Sequence, residues 1–244
     1  MKWFKYKWIP ILSVVTVVIM ICLFSGCGKN FSNTAYSENT DIQPGLGLEV
    51  HFIDVGQGDS TLLIYKEHAM LIDAGEDSQG TNVQNYLEKH GIKKLDYVVA
   101  THPDADHIGG LDVILTKFDC GVIFFPDAQS DTWAYRNVMD AIKYKGYEVT
   151  RPETGAVYSL GDAVFTIIGS GKNYEEDDNN ASIGMKITYG ESSFLFTGDA
   201  EKEALTDMLQ RGTDLRADVL KAGHHGSSDS ADELFLETVE QSMP

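Results

Sequence analysis

The chain has 244 residues, 43% hydrophobic and 23% charged, which suits one good-sized globular domain with a short appendage. Nineteen basic residues against 37 acidic ones leave a formal charge of −18; a field of that size attracts divalent cations and repels polyanions, so a nucleic-acid substrate would need metal or a local basic patch. Three cysteines, Cys22, Cys27 and Cys120, supply neither a disulfide framework nor a zinc ribbon, and any metal site must be built from His, Asp, Glu or Asn.

Residues 1–26 read as a targeting segment. Lys2, Lys5 and Lys7 precede an apolar run over residues 8–24, long enough for a signal peptide or an uncleaved anchor. Leu23-Phe24-Ser25-Gly26-Cys27 resembles a lipoprotein cleavage site, which makes Cys27 the expected lipidated residue. Either reading places the rest of the chain outside the cytoplasm, because the lysines hold the N-terminus inside. Residues 27–47, rich in Ser, Asn, Thr and Gly, read as a flexible tether, and the domain is expected over 48–244.

Within the domain, residues 48–54 are an apolar run stopped by Gly56-Gln57-Gly58-Asp59. Strands are expected over 60–65 and 69–72. Residues 82–90 have helical spacing closed by Gly91, and 95–100 form a short buried strand. Helices follow over 108–115 and 132–144, with a strand at 122–125 between them. Strands are then expected over 163–168, 183–189 and 193–197, a helix over 201–210, a strand over 219–222 and a helix over 232–239. Strands and helices in two similar blocks predict two packed sheets with helices outside.

Three apolar strands end on metal-ligating side chains. The first runs into Thr101-His102-Pro103-Asp104-Ala105-Asp106-His107, two imidazoles and two carboxylates in six positions. The second ends at Thr197-Gly198-Asp199, and the third at Ala222-Gly223-His224-His225-Gly226-Ser227. Taken singly, Asp106 and Asp199 suit helix N-caps and His102 a surface imidazole. Together, with four of the seven histidines in these motifs, they predict one shared zinc or manganese site.

These motifs resemble the metallo-β-lactamase superfamily. With Phe52-Ile53-Asp54-Val55-Gly56-Gln57-Gly58-Asp59-Ser60 and Leu71-Ile72-Asp73-Ala74-Gly75, they resemble most closely the extracytoplasmic domain of the ComEC-like competence DNA-uptake proteins and their stand-alone relatives. The resemblance implies an α/β (α+β) fold, a four-layered αββα sandwich, with two divalent metal ions at one edge. It implies that His102 and Asp104 bind one ion, that Asp106, His107 and His224 bind the other, and that Asp199 bridges them. Asp106 and Asp199 stand as the catalytic carboxylates, and Asp73 as a partner orienting a histidine from behind. Asn180, His225 and Asp59 are further candidates for such supporting or substrate-binding roles.

The chain departs from the family pattern in three places. Asp104 stands where many members have histidine. No histidine lies between His107 and His224, and Asn179-Asn180-Ala181-Ser182 occupies the stretch where a third ligand of the first ion is usual. Relatives also continue beyond the final helix, so a domain shortened at its C-terminus is expected.

The leading functional expectation is a monomeric, metal-dependent hydrolase of phosphodiester or related esters, membrane-tethered outside the cytoplasm, with DNA during uptake as its specific substrate. The scattered Lys and Arg speak against DNA and for a small-ester, phosphocholine-type substrate. A second class is a non-catalytic accessory lipoprotein, which the absent third ligand would suit.

Overall fold

The computed structural model describes residues 47–170, 174 and 178–240, all within the compact unit Ile42–Pro244. The expected targeting segment, Cys27 and nearly all of the tether lie outside the described residues. Among the described residues no helix is long and apolar enough to cross a membrane.

The chain opens with strands β1 (Glu49–Phe52), β2 (Thr61–Tyr65) and β3 (His68–Ile72), then helix α1 (Gly80–Lys89) and β4 (Lys94–Val99). Helices α2 (Ala105–Ile108) and α3 (Leu111–Lys117), strand β5 (Asp119–Phe124), helix α4 (Trp133–Lys145) and strand β6 (Val149–Thr150) complete the first half. The second half holds β7 (Val157–Leu160), β8 (Ala163–Ser170), β9 (Ile183–Tyr189), β10 (Ser192–Phe196), α5 (Lys202–Gln210), β11 (Val219–Leu220) and α6 (Glu233–Glu240).

Among the described residues the strands form two sheets, ordered β1-β2-β3-β4-β5-β6 and β11-β10-β9-β8-β7. From β3 to β6 the pairing is parallel, and α1, α2–α3 and α4 are the crossovers this pairing requires. The second sheet is an antiparallel meander, except that β11 lies parallel to β10 after the α5 crossover.

Because side chains alternate along a strand, each sheet buries both faces. In β2 and β3, Leu62, Ala69 and Leu71 pack with Val83, Leu87, Leu111, Ile114, Val138 and Ile142 of the helices. Their neighbours Leu63, Met70 and Ile72 pack across the sandwich against Phe165, Ile167, Met185, Ile187 and Phe196. On the far side Ile168 and Leu195 meet Leu205, Met208, Phe235 and Val239. Three apolar layers between four structural ones make the αββα sandwich.

The expected helix over 108–115 is two helices, broken at Gly109-Gly110. A Cβ on Gly109 would lie 2.2 Å from the Asp77 nitrogen, and one on Gly110 2.5 Å from the Ala74 oxygen. Only glycine lets this segment press against the turn after β3, where Ala74 N donates to His107 O (2.8 Å) and Gly110 N to Gly75 O (3.1 Å). That contact sets the depth of the ligand-bearing loop. Strands β6 and β7 are short and partly exposed, and their weak patterns escape a reading by periodicity.

Candidate metal centre

The site lies where β3, β4, β10 and β11 end, and the loop before β2 folds over it. The backbone at these strand ends is strained. Among the described residues four non-glycine residues have left-handed backbones, Lys66, Asp73, His224 and His225, and three of them are in this site. Each such residue costs about 1–2 kcal/mol, so the surrounding contacts must hold it.

Asp73, 1% exposed, is the hub. Its Oδ1 accepts from Thr101 N (2.9 Å), and its Oδ2 accepts from the Thr101 hydroxyl (2.7 Å) and from His107 Nδ1 (2.9 Å). With its proton committed to Asp73, the Thr101 oxygen is left to accept from His102 Nδ1, 3.1 Å away. One carboxylate thereby orients both rings: His102 and His107 turn Nδ1 towards the Asp73–Thr101 pair and aim Nε2 into the centre. The rings lie 4.1 Å apart, centroid to centroid.

The atoms that converge are nitrogen and oxygen donors. His107 Nε2 lies 3.1 Å from Asp199 Oδ2, and His225 Nε2 lies 3.2 Å from both Asp199 Oδ2 and Asp106 Oδ2. His102 Nε2 faces Asp104 Oδ2 at 3.7 Å. Asp59, His107, Asp199 and His225 each offer an atom to a group in which all lie within 4.8 Å of one another. His102 Nε2 and Asp199 Oδ1 are buried without a hydrogen-bond partner, and an unsatisfied buried polar atom costs about 1–3 kcal/mol. Those two donors, aimed into a pocket of imidazole and carboxylate with no thiolate, fit a divalent cation.

Electrostatics agree. Burial works to lower the pKa of His107, but the Asp73 charge and the hydrogen bonds to Asp199 and Asp73 raise it well above the ordinary histidine range. Burial would raise Asp199, yet its hydrogen bond to His107 and the nearby imidazoles bring it down to about 2. Burial and the neighbouring His107 push His102 well below the usual value. Burial and the carboxylates of Asp178 and Asp106 raise Asp104.

In the metal-free protein, then, the proton on His107 substitutes for a cation between two carboxylates, and a metal must displace it. Metal affinity should rise with pH through neutrality, by up to about tenfold per unit for one displaced proton, until the raised His107 value is passed. Calorimetry in two buffers of different ionisation enthalpy should show proton release at pH 7; no release would contradict this account. The sign for stability differs by group. The His107 contribution is complete below the unfolded value of about 6.5 and lost as pH rises through the folded one. The Asp199 contribution is present above about 3.9 and lost as pH falls through the depressed value.

One expectation needs correcting. The resemblance implied that His224 binds beside Asp106 and His107, but His225 occupies that place. His224 Nδ1 sits instead 3.2 Å from Glu201 Oε1. Consecutive left-handed residues, φ 44° and 52°, turn the second ring inward rather than the first. Asn180, in the stretch where a third ligand of the first ion is usual, turns its side-chain oxygen to helix α5. Its Oδ1 accepts from Glu201 N (3.0 Å) and Ala204 N (3.1 Å), capping α5 from a distant loop. Asn180→Ala should therefore cost about 1–2 kcal/mol, lowering Tm by about 2–8 °C, with metal affinity unchanged. A thermal melt and a metal titration check this, and loss of metal would place Asn180 in the ligand shell. Asp199 is no N-cap, since Glu201 holds that position at α5.

Sequence reasoning passed over Lys221. It is one of the scattered lysines in sequence, but its ammonium is paired with Asp59 beside the centre. Its place three residues before His224, at the end of an apolar strand, was the available signal. Ser182 was also missed as a support: Asp199 N donates to its oxygen at 3.0 Å.

The sequence profile of the metallo-beta-lactamase superfamily matches residues 53–241. Among curated proteins, ComE operon protein 3 of Bacillus subtilis is 30% identical over 210 residues, covering 79% of this chain and 27% of that protein. Recombination protein 2 of Haemophilus influenzae is 29% identical over 196 residues, covering 78% and 23%. The chain thus spans about a quarter of the length of these relatives. Of solved structures, Rm3 metallo-beta-lactamase superposes with a TM-score of 0.53 at 13% identity, covering 81% of this chain and 82% of that one, a likeness of fold. The fold, the converging donors and the profile match over most of the chain agree: it belongs to the metallo-beta-lactamase superfamily.

Proposed function

We propose that this chain is a metal-dependent phosphodiesterase that acts outside the cytoplasmic membrane, with DNA taken up by the cell as its substrate. The observation that carries the reading is the meeting of His107, His225, Asp106 and Asp199 at the sheet edge, with His102 Nε2 and Asp199 Oδ1 buried and without a hydrogen-bond partner. In this reading His102 and Asp104 would hold one divalent ion, Asp106, His107 and His225 the other, and Asp199 would serve the same centre. Bound there, the ions supply Lewis acidity, which makes water a nucleophile near neutral pH and offsets charge on the ester.

The rest is work for the chain's own residues. Asp73 and Thr101 hold two imidazoles in the orientation that aims Nε2 into the centre. Ser60 is no rival nucleophile, because it is buried and its hydroxyl donates to Asp73 O at 3.1 Å. Asp104 and Asp106, more exposed than Asp199, stand at the lip where a substrate would enter. The DNA substrate rests on the word competence in the name of a further relative, Competence protein ComA of Neisseria gonorrhoeae. The extracytoplasmic location rests on the lysines and apolar run of residues 1–26.

The formal charge of −18 favours a second reading, a small phosphoester without a polyanionic backbone. Assays of the full chain with Mn²⁺ or Zn²⁺ on labelled oligonucleotides and on bis(p-nitrophenyl) phosphate separate the two. Cleavage of both supports the nuclease. Cleavage of the small ester alone supports the second reading, and no metal-dependent cleavage of either rejects both.

A further inference from the structure

Asp59 has two neighbours besides the centre. Its Oδ2 is paired with the Lys221 ammonium, and its Oδ1 lies 3.4 Å from His225 Nδ1, on the side of that ring away from the metal-facing Nε2. All three side chains are largely buried, 12% exposed for Asp59, 19% for Lys221 and 20% for His225. The Asp59 backbone is pinned as well: its N donates to Asp106 O (3.1 Å), and its O accepts from Gly75 N (2.8 Å). Gly58 makes this approach possible, for a Cβ there would lie 2.3 Å from Asp106 O, and its φ is 122°. Lys221 follows β11 in the second sheet, whereas Asp59 precedes β2 in the first, so the ion pair also ties the two sheets together at the site.

A carboxylate already engaged by an ammonium is a poor ligand for a second cation, because the two positive charges would share one anion at close range. The arrangement around His225 instead matches that around His107: carboxylate on Nδ1, Nε2 towards the centre, as in Asp73 and His107. His225 needs such support, since its own backbone is left-handed and strained.

We propose that Asp59 is not a metal ligand but the positioning residue of His225, and that Lys221 locks it in that role. The inference rests on the reading of this site as a metal centre and adds to it a clamp that joins the two sheets.

The test is titration of the metal-stripped full chain with Mn²⁺, and with Co²⁺ for its visible spectrum. Lys221→Met should weaken metal binding by about tenfold and Asp59→Asn by about 10–100-fold, the range for lost partners of metal-bound histidines. The double variant should bind no worse than Asp59→Asn, because Lys221 acts only through Asp59. At saturating metal the Co²⁺ spectrum of Lys221→Met should move towards that of His225→Ala, and Lys221→Arg should restore it. If Lys221→Met folds poorly with Asp59 left unpaired, the double variant, which buries no lone charge, still reports the effect. Tighter or unchanged binding by Lys221→Met would overturn the inference, the tighter case making Asp59 a direct ligand. Failure of the wild-type chain to take up either metal would overturn the metal-centre reading itself, a distinct outcome.

Discussion

Asp199→Ala should remove metal-dependent hydrolysis and weaken metal binding by more than about 100-fold, beyond the range for partners that stand behind a ligand. Asp199 is 2% exposed, its Oδ2 lies within 3.2 Å of both His107 and His225, and its Oδ1 has no hydrogen-bond partner. Among the described residues no other carboxylate is so placed between the two halves of the cluster. The metal-free fold should suffer less than the metal-bound one, because Asp73 still neutralises His107 from the other side. Asp199→Asn separates shape from charge: it keeps the volume, cannot neutralise a cation, and should be nearly as damaging to metal binding. Measured metal content and hydrolysis close to wild type in either variant would contradict the role given to this residue.

Asp73→Ala should be the most destabilising single change at the site. It strips the acceptor from three donors at once, Thr101 N, the Thr101 hydroxyl and His107 Nδ1, all of them buried. Breaking a buried charged pair of this kind costs about 3–5 kcal/mol, which lowers Tm by about 6–20 °C in a domain of this size. Metal affinity should fall by about 10–100-fold, because neither His102 nor His107 is then held in the orientation that aims Nε2 into the centre. Asp73→Asn is the informative companion. Asparagine tolerates the left-handed backbone at this position, so its effect reports lost charge and lost acceptors rather than backbone strain. A melt and a metal titration that both match wild type would remove Asp73 from its place as the hub.

Much of this was legible in the sequence, for local reasons. Three apolar strands that each end on His or Asp declare a sheet edge lined with donors, and the run from Thr101 to His107 places four of them in one turn. Burial on both faces shows as continuous apolar runs such as residues 69–72. What stayed hidden depends on contacts between distant residues or on single backbone angles. His224 and His225 are equivalent in any pattern, and only their left-handed φ values decide which ring turns inward. Asn180 reads as a ligand substitute by position, but its oxygen is used across space on the first turn of α5. Lys221 and Asp59 flank strands of different sheets, and no spacing rule relates them. The break at Gly109-Gly110 is invisible to helical periodicity because its cause is the neighbouring backbone of Ala74 and Asp77.

Hydrolysis is expected to depend on the metal centre that these donors form. The most direct test is the divalent metal content of the purified full chain after equilibration with Zn²⁺ or Mn²⁺ and removal of the excess, with hydrolysis measured before and after a chelator. About two ions per chain are expected, with activity lost with the chelator and restored by metal. A chain that retains no metal, or hydrolysis indifferent to the chelator, would contradict it.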